Sequence, residues 1–407
     1  MRVLVVGSGG REHALAWKLT HAEEGVELHA APGNPGIAEL GACHPVRAED
    51  GEGLLGLARE LGADLVVIGP EAPLVAGVTD QLRQGGITVF GPSAAAARIE
   101  GSKSFAKDVM QAAGVPTAAT LSVARPPCVI KADGLAAGKG VFVCHTQEEV
   151  EAGVRAAAAL GGPFFLEELL EGDELSVFAL VDGSRAVPVA AARDYKRVGD
   201  GDAGPNTGGM GAYSPVPEAG SVDELVESVH QPVAEELARR GAPFVGLLYA
   251  GLMLTEEGPR VLEFNCRFGD PETQCVLPRL EGDFPAALAA TAEGDLKEVE
   301  LTASESAAVT VVVASARYPE GPSDVGTPIE GIADAEAEGA LVFHAGTAVR
   351  DGRLVTNGGR ILNVTAAGET LADARSRAYT ACERISFPGC RYRRDIALGE
   401  ARAVSGS

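Results

Sequence analysis

The sequence predicts a multidomain protein of the α/β and α+β classes, with a parallel sheet first, a central core with a lid, and a C-terminal α+β domain. Its 407 residues exceed what one hydrophobic core usually supports. Strand and helix patterns alternate over the first hundred residues, which is typical of a parallel sheet. From about residue 305 the pattern changes to strands joined by tight turns.

Composition narrows the class of function. The chain is 46% hydrophobic and carries a formal net charge of −23, so it can bury a core and presents no broadly basic surface. Binding to nucleic acid requires such a surface, and we therefore expect small-molecule ligands rather than nucleic acid. Lysine is scarce, but Lys103, Lys107, Lys131 and Lys139 fall close together. This clustering favours a phosphate site there over chance.

Cysteines and apolar runs indicate the compartment. The seven cysteines form no CxxC pair, so we expect reduced thiols and no structural zinc. Apolar runs such as 307–316 are too short for a membrane span. The first residues run directly into a strand pattern without a signal-peptide signature. We therefore expect a cytoplasmic protein that does not bind membranes.

In the first region, loops follow predicted strands where an open parallel sheet binds ligands. These loops are 7–10, 32–34 and 69–71. The predicted strands are 2–6, 27–31, 64–68 and 88–90, and the predicted helices are 12–20, 53–61 and 78–84.

The second region, from Gly101, combines a compact lid with a core. Its glycine-rich segment 194–215 is predicted to be a long loop that wraps a substrate. The predicted strands are 128–132, 141–144, 163–168, 174–181, 247–254 and 260–266, and the predicted helices are 103–113, 147–160 and 221–240. The third region is predicted to contain strands 307–316, 341–349, 353–356 and 360–364 and a helix 371–385.

The segment GSGGREH at 7–13 follows the first strand. It is close to the dinucleotide-binding fingerprint, but Glu12 stands where the third glycine belongs. A strand-to-helix loop still offers backbone N–H groups to an anion, and Arg11 could add a cationic clamp. We favour a phosphate site over a purely structural turn.

The segment KADGLAAGKG at 131–140 is the strongest local signal. It is not a Walker A loop, because the glycine spacing is too short and Gly140 replaces the hydroxyl residue that would hold magnesium. Its glycines allow backbone amides to approach phosphate oxygens, and Lys139 can lie over the charge that develops on a transferred phosphoryl group.

Two acidic segments carry further signals. Glu263, Asn265 and Arg267 share one face of a predicted strand, since side chains alternate. A carboxylate and an amide oxygen suit Mg²⁺, which takes waters and phosphate oxygens for its remaining positions. The run 167–174, EELLEGDE, is compatible with a solvated turn or with a nucleoside site at Glu174.

Taken together, the motifs resemble the phosphoribosylamine–glycine ligase family of the ATP-grasp superfamily. They are GSGGREHALAW at 7–17, APGNPG at 31–36, GPEAPL at 69–74, GSKSFAK at 101–107, IKADGLAAGKGV at 130–141, KRVGDGDAGPNTGGMGAYSPVP at 196–217, EFNCRFGDPETQ at 263–274, and HAGT with TNGGR between 344 and 360. The chain departs from this family at the short connection 121–127 and at Tyr195, where the family commonly has histidine.

The resemblance implies an N-terminal Rossmann-like domain at 1–100, an ATP-grasp domain at 101–300 with a mobile lid at about 115–185, and a C-terminal domain at 301–400. It also implies ligation of glycine to 5-phosphoribosylamine through a glycyl phosphate, with ATP and Mg²⁺ or Mn²⁺. We further expect a monomer. The implied ATP positions are Lys103, Lys131, Gly134, Gly138, Glu167, Glu168, Leu169 and Glu174, and the implied metal positions are Glu263 and Asn265. The implied substrate positions are Gly9, Gly10, Arg11, Glu12, His13, Asn34, Glu71, Asp194, Asn206, Gly208, Gly209 and Arg360, and the implied catalytic positions are Lys139, Arg267 and Asp270.

Two other interpretations stay open at this point. One is a different ATP-grasp ligase, such as a biotin-carboxylase-like or formate-using enzyme. The other is a nicotinamide-dependent oxidoreductase built on the first loop, against which Glu12 argues.

Overall fold

The first hundred residues form a parallel sheet with helices on both faces. This computed structural model describes residues 1–23, 25–134 and 140–404. The sheet has the strand order β3-β2-β1-β4-β5, so the predicted parallel sheet is confirmed. Its elements are β1 Arg2–Gly7, α1 Gly10–Thr20, β2 Glu27–Pro32, β3 Ala42–Cys43, α2 Gly51–Leu61, β4 Leu65–Ile68, α3 Glu71–Val75, α4 Val78–Gln84, β5 Val89–Phe90 and α5 Ala94–Gly101.

Local chemistry explains where these elements lie. Val3–Val6 of β1 are fully buried, as expected for a central strand covered on both faces. Helix α2 begins where the Asp50 carboxylate accepts a hydrogen bond from the Gly53 amide at 3.0 Å. It ends at Gly62, whose φ of +61° suits a left-handed cap.

The lid is a small antiparallel sheet with one covering helix. It follows α6 Lys103–Ala113 and consists of β6 Thr120–Leu121, β7 Cys128–Ala132, β8 Val141–Cys144, α7 Gln147–Ala159 and β9 Phe164–Glu168. The strand order is β6-β9-β7-β8. A separate hydrophobic cluster, including Ile130, Cys144 and Val150, packs this unit on its own core. Residues 122–127, all of them described, contain no helix.

A long antiparallel sheet joins the central region to the C-terminal region. Its order is β16-β15-β10-β11-β14-β19-β24-β21. The remaining elements are β10 Asp173–Asp182, β11 Ala186–Asp194, β12 Arg197–Gly199, β13 Ala203–Asn206, β14 Gly211–Ser214, α8 Val222–Leu225, a π-helical turn Val226–His230, α9 Gln231–Arg239, β15 Val245–Thr255, β16 Gly258–Asn265, α10 Glu272–Val276, β17 Leu280–Glu281, α11 Phe284–Glu293, β18 Thr302–Ala303, β19 Ala307–Ala314, β20 Asp324–Pro328, α12 Ile332–Ala337, β21 Leu341–His344, β22 Thr347–Arg350, β23 Arg353–Gly358, β24 Arg360–Gly368, α13 Leu371–Cys382 and α14 Leu398–Val404.

The interpretation of 194–215 as one long loop is wrong. It contains the two-stranded ribbon β12-β13 and then β14, which pairs with β11 on one side and β19 on the other. Glycine richness concealed the strands, since glycine is depleted in most strands. The predicted strand 341–349 is also two strands, β21 and β22, which belong to different sheets.

Among the described residues, no helix is long and apolar enough to cross a membrane. We keep the boundaries 1–100, 101–300 and 301–400 as a proposal for the domains.

Candidate active site

A cleft of about 500 Å³ opens between loops of the N-terminal and C-terminal regions, and we call it the interdomain cleft. Its lining includes Ser8, Gly9, Pro32, Gly33, Asn34, Asp270, Tyr318, Ala345, Gly346, Thr347, Asn357 and Arg360. Gly9 is also the N-cap of α1. The cleft therefore has the positive end of a helix dipole at one wall and a guanidinium at another, a combination suited to an anion.

Glu12 holds the first loop in shape. Its carboxylate accepts a hydrogen bond from the Gly9 amide at 2.6 Å and pairs with Arg11 at 2.6 Å. A Cβ at Gly69 would lie 2.2 Å from Glu12 Oε1, so glycine is required where this carboxylate is enclosed. Glu12 is buried and its described contacts all serve the turn. The glutamate that broke the dinucleotide fingerprint thus shapes the strand-to-helix loop itself.

His13 and Asn34 tie the N-terminal loops to the C-terminal region. His13 Nδ1 accepts a hydrogen bond from the His344 amide at 2.8 Å. Burial, with a smaller contribution from His344, lowers the pKa of His13 to about 3, so its imidazole is neutral. The Asn34 side-chain amide donates to the carbonyls of Ser8 at 2.9 Å and His344 at 2.8 Å. Both side chains therefore fix the walls of the interdomain cleft.

Arg360 and Asp270 form the charged wall of the interdomain cleft. They pair at 2.8 Å, and Arg360 also donates to the carbonyls of Asp270 at 2.9 Å and of Gly208 at 2.5 Å. Burial acts to raise the pKa of Asp270, but Arg360 and Arg11 outweigh it and hold that pKa below its ordinary value. The guanidinium consequently fixes the 208–209 loop against the turn between β16 and α10 that bears Asp270.

Gly10 and Gly209 permit close packing beside this wall. A Cβ at Gly10 would lie 2.1 Å from Asn363 Nδ2, and one at Gly209 would lie 2.3 Å from Pro271 Cδ. Gly209 also has a φ of +105°, which side chains rarely adopt. These glycines are needed for structure, whatever else their backbone groups bind.

Arg267 lies between two carboxylates. It pairs with Glu100 at 3.0 Å and with Glu71 at 3.2 Å. Burial opposes its charge, but Glu100 and Glu71 outweigh burial and raise the pKa of Arg267 above its ordinary value. Arg11 lies 3.9 Å from the same Glu71 carboxylate, so this ion cluster links the two walls of the site.

A second concentration of charge lies between the lid and the long sheet, and we call it the lysine–carboxylate region. It comprises Lys103, Lys107, Lys131, Lys196, Glu167, Glu174 and Glu263. The buried Glu167 pairs with Lys107 and, at 2.7 Å, with Lys131. Lys131 also donates to the Leu262 carbonyl of β16 at 2.9 Å, which joins the lid to the core.

Lys103 begins α6 and reaches towards the glycine-rich segment. Its ammonium donates to the Gly134 carbonyl at 2.9 Å, and its amide donates to the Asp133 carboxylate at 2.7 Å. Burial lowers the pKa of Lys103, while the nearby Glu263 opposes that shift. Gly138 and Lys139 lie outside the described residues.

Lys196 was missed by the sequence analysis. It pairs with Glu174 at 2.6 Å. Burial alone would lower the pKa of Lys196, but Glu174 and Asp194 outweigh burial and hold it well above its ordinary value. Lys196 mainly lowers the pKa of Glu174, whereas burial raises that of Asp194 to about 8. The motif at 196–217 contained this lysine, but only the fold places it beside these acids.

Glu263 and Asn265 lie on one face of β16, partly exposed, and neither makes a side-chain hydrogen bond to the described residues. Among those residues no group of three or more His, Cys, Asp or Glu could hold a metal ion. A carboxylate plus an amide oxygen, free of other partners, still fits Mg²⁺, which needs few protein ligands when phosphates supply others.

The other predicted positions are placed as follows. Glu168 accepts a hydrogen bond from the Ala119 amide at 2.8 Å, and Leu169 follows β9, so both lie where the lid connects to the long sheet. Asn206 ends β13, opposite Arg197. Tyr318, Thr347 and Asn357 line the interdomain cleft, but the sequence analysis named none of them as a site residue. The HAGT and TNGGR motifs contain the last two residues and could have revealed them.

A parallel domain, a small lid sheet and a long antiparallel sheet with lysines between them define the ATP-grasp class. Solved structures share this fold. The biotin carboxylase domain of Hydrogenobacter thermophilus 2-oxoglutarate carboxylase matches 96% of this chain and 91% of its own, with a TM-score of 0.70 and 18% identity. N5-carboxyaminoimidazole ribonucleotide synthetase from Thermotoga maritima matches 95% and 99%, with a TM-score of 0.64 and 17% identity.

The chain belongs to the phosphoribosylglycinamide synthetase family, whose N, ATP-grasp and C domain models match residues 1–100, 101–273 and 308–399. The phosphoribosylamine–glycine ligase of Streptomyces coelicolor is 53% identical, covering 99% of this chain and all of the relative. The crystal structure of the Thermotoga maritima enzyme of that name has a TM-score of 0.85 at 38% identity, covering 98% of this chain and 100% of its own.

Proposed function

We propose that this chain joins glycine to 5-phosphoribosylamine at the expense of ATP, releasing ADP, phosphate and glycinamide ribonucleotide. One observation carries the assignment of this reaction to the described site. Asp270 in the interdomain cleft lies close enough to Arg267 for that guanidinium to lower its pKa, Arg267 pairs with Glu100, and Glu100 in turn acts to raise the pKa of Lys103 in the lysine–carboxylate region. A phosphorylated amine and a nucleotide can therefore occupy neighbouring sites.

The chemistry requires an activated carboxylate. Glycine does not acylate an amine at neutral pH, because oxide is a poor leaving group. Transfer of the γ-phosphoryl group to the glycine carboxylate forms glycyl phosphate, and the amine of phosphoribosylamine then attacks its acyl carbon and displaces phosphate. In this proposal the protein positions the reactants, stabilises charge and excludes water, so the reaction calls for no dedicated general base.

The nucleotide lies between the lid and β16 in this proposal. Lys103, Lys131 and the 134–140 segment, including Gly134, Gly138 and Lys139, bind its phosphates. Glu167, Glu168, Leu169 and Glu174 bind the nucleoside. Mg²⁺ or Mn²⁺, held by Glu263 and Asn265, supplies neutralisation of phosphate charge when bound. Support comes from the pairing of Lys103, Lys131 and Lys196 with a carboxylate or carbonyl oxygen that a phosphate oxygen could replace.

The interdomain cleft holds phosphoribosylamine in this proposal. Gly9, Gly10 and Arg11 offer backbone or guanidinium donors, and Glu12, His13 and Asn34 keep the loop in shape. Glu71, Arg267, Asp270 and Arg360 surround the reacting end, with Asp194, Asn206, Gly208 and Gly209 on the side of the long sheet. The substrates are small molecules, and we infer a monomer that works in the cytoplasm.

Measurement of ADP release with each substrate omitted in turn tests the function. Release should require ATP, glycine and phosphoribosylamine together, and bicarbonate or formate should not replace glycine. ADP release driven by either of those acids would instead assign the chain to another ATP-grasp ligase. Light scattering that gave the mass of two chains would contradict the monomer.

A further inference from the structure

Arg393 belongs neither to the interdomain cleft nor to the lysine–carboxylate region. It is one of the most deeply buried large side chains of the described residues. It is 2% exposed and follows α13 in the C-terminal segment. Its guanidinium donates to the Asp395 carboxylate at 2.8 and 2.6 Å and to the Asp202 carboxylate at 2.8 Å. Burial of a cation is costly unless such partners satisfy it, so this geometry is specific.

The remaining contacts of the Arg393 guanidinium fall on either side of Lys196. The guanidinium donates to the Arg197 carbonyl at 3.0 Å. It also lies over the Tyr195 ring, with its central carbon 4.8 Å from the ring centroid. A single side chain from the C-terminal segment therefore holds both chain neighbours of Lys196.

Backbone contacts extend this attachment. The Tyr195 hydroxyl accepts a hydrogen bond from the Ala397 amide at 2.9 Å. The Gly201 amide donates to Asp395 at 2.8 Å, and the Arg394 amide donates to Asp200 at 2.7 Å. The C-terminal segment thus grips the ribbon β12-β13 at several points.

The partner of Lys196 is held by the same segment. Arg193 pairs with Glu400 of α14 at 3.3 Å, and its Nε donates to the Glu174 carbonyl at 3.1 Å. Both members of the Lys196–Glu174 ion pair are consequently connected to residues 393–400.

The ribbon needs such support. Strands β12 and β13 pair only with each other, and an isolated two-stranded ribbon is marginally stable at best. The position of an ammonium at the end of a long side chain depends on where its backbone is held. Within the central region, the Lys196 carbonyl accepts a hydrogen bond from the Thr207 amide at 2.7 Å, and the Tyr195 amide donates to the Gly211 carbonyl at 3.0 Å. The C-terminal contacts add a second attachment on the ribbon side of Lys196.

We propose that Arg393 is a positioning residue for nucleotide binding, because it contacts the residues on both sides of Lys196, the Tyr195 ring and the Arg197 carbonyl, and so keeps that ammonium beside Glu174 and Glu263. This rests on the proposed function, in which the lysine–carboxylate region binds the nucleotide. Arg393 itself touches no substrate. Its loss should weaken nucleotide binding selectively, with little effect on glycine or phosphoribosylamine.

The test compares Arg393→Met, which keeps the aliphatic stem, with Arg393→Lys and with Asp202→Asn. The matched control is Arg384→Met, since Arg384 lies in the same region and pairs with Glu338 at the surface. ADP binding by calorimetry, the KM of each substrate, kcat and the melting temperature are measured for every variant.

For Arg393→Met we expect the Kd of ADP and the KM of ATP to rise roughly 10-fold or more, about 1.4 kcal/mol. The KM values of glycine and phosphoribosylamine should stay within about twofold, Arg393→Lys should recover part of the loss, and Arg384→Met should match the wild type. Asp202→Asn should weaken ADP binding in the same direction by a smaller factor, since that side chain is largely exposed and its loss spares the fold.

A variant that melts earlier but binds ADP as tightly as the wild type would overturn the proposal and leave Arg393 a purely structural residue. Equal increases in all three KM values would do the same. If Arg393→Met does not fold, Arg393→Lys and Asp202→Asn decide, and unchanged ADP affinity in both overturns it. Absence of ADP binding to the wild type would contradict the proposed function instead.

Discussion

The interdomain cleft and the lysine–carboxylate region both suit anions, but they are organised differently. In the cleft, polar side chains such as His13, Asn34 and Asp270 are committed to backbone or to Arg360. In the lysine–carboxylate region, Lys131 and Lys196 are paired with carboxylates. The cleft is therefore preformed, whereas in the proposed function the lysines exchange these partners for nucleotide phosphates. Substitutions in the interdomain cleft should alter binding of one substrate, and those in the lysine–carboxylate region should alter nucleotide binding and turnover.

The largest effect should come from the proposed metal position. Glu263→Gln removes the carboxylate charge from β16 while keeping its size, so we expect kcat to fall roughly 100-fold, about 2.7 kcal/mol of barrier. Titration with Mg²⁺ should show that the same variant binds the metal more weakly and needs a higher Mg²⁺ concentration for half-maximal activity. Glu257→Gln, at an exposed position in the adjoining turn, is the control. Unaltered Mg²⁺ dependence in Glu263→Gln would remove Glu263 from the metal site.

A selective loss of phosphoribosylamine binding should follow Arg360→Met. The variant removes a cation from the interdomain cleft and deprives the partly buried Asp270 of its ion-pair partner, so the KM of phosphoribosylamine should rise roughly 30-fold, about 2 kcal/mol. The KM of ATP should change little, and the exposed Arg353→Met should behave as the wild type. An equal increase in the KM of ATP would show that the interdomain cleft and the lysine–carboxylate region do not bind different substrates.

Substitution of Lys139 tests the proposed transfer of the phosphoryl group. We expect Lys139→Ala to lower turnover by roughly 10-fold or more, about 1.4 kcal/mol, because the ammonium stabilises charge on the phosphoryl group. Lys297→Ala, at an exposed site far along the chain, serves for comparison. Near-wild-type turnover in Lys139→Ala would exclude this lysine from the mechanism.

The smallest effect concerns the stability of the preformed walls. The pKa of His13 is lowered to about 3 in the folded chain. Below about pH 6.5 the unfolded chain therefore binds a proton at this histidine, whereas the folded chain does not. Stability should therefore fall as the pH drops from about 6.5 towards 3, by about 1.4 kcal/mol per pH unit for this group. Denaturation of His13→Gln should show a slope smaller by that amount. An unchanged slope in His13→Gln would contradict this linkage.

Much of the fold was accessible from the sequence because hydrophobic periodicity is strong where strands are buried on both faces. Strands such as β1 and β4 are continuous apolar runs, and α2 carries both of its caps. Strand β11, AVPVAAARD, was missed because alanine favours helices and Pro188 weakens a strand pattern. Tertiary pairing with β10 and β14 overrides those preferences.

The candidate site was only partly accessible for a different reason. Motifs named Arg360 and Asp270 separately, but nothing in their spacing indicated that they pair across ninety residues. Lys196 lay in a stretch interpreted as a loop, and its charge becomes informative only once β10 brings Glu174 beside it. Sequence patterns report local periodicity, whereas the chemistry of this site depends on contacts between distant segments.

The backbone ladder that runs unbroken from β16 to β21 has a mechanical consequence. Strand β14 shares hydrogen bonds with both β11 and β19, so the C-terminal region cannot swing away without tearing main-chain bonds. The lid packs on a core of its own, so we propose that it, rather than the C-terminal region, moves to admit the reactants. A chain that ended before Ala307 would lack β19 and leave the edge of β14 unpaired. That edge could pair with a strand of another molecule, so we expect such a chain to aggregate.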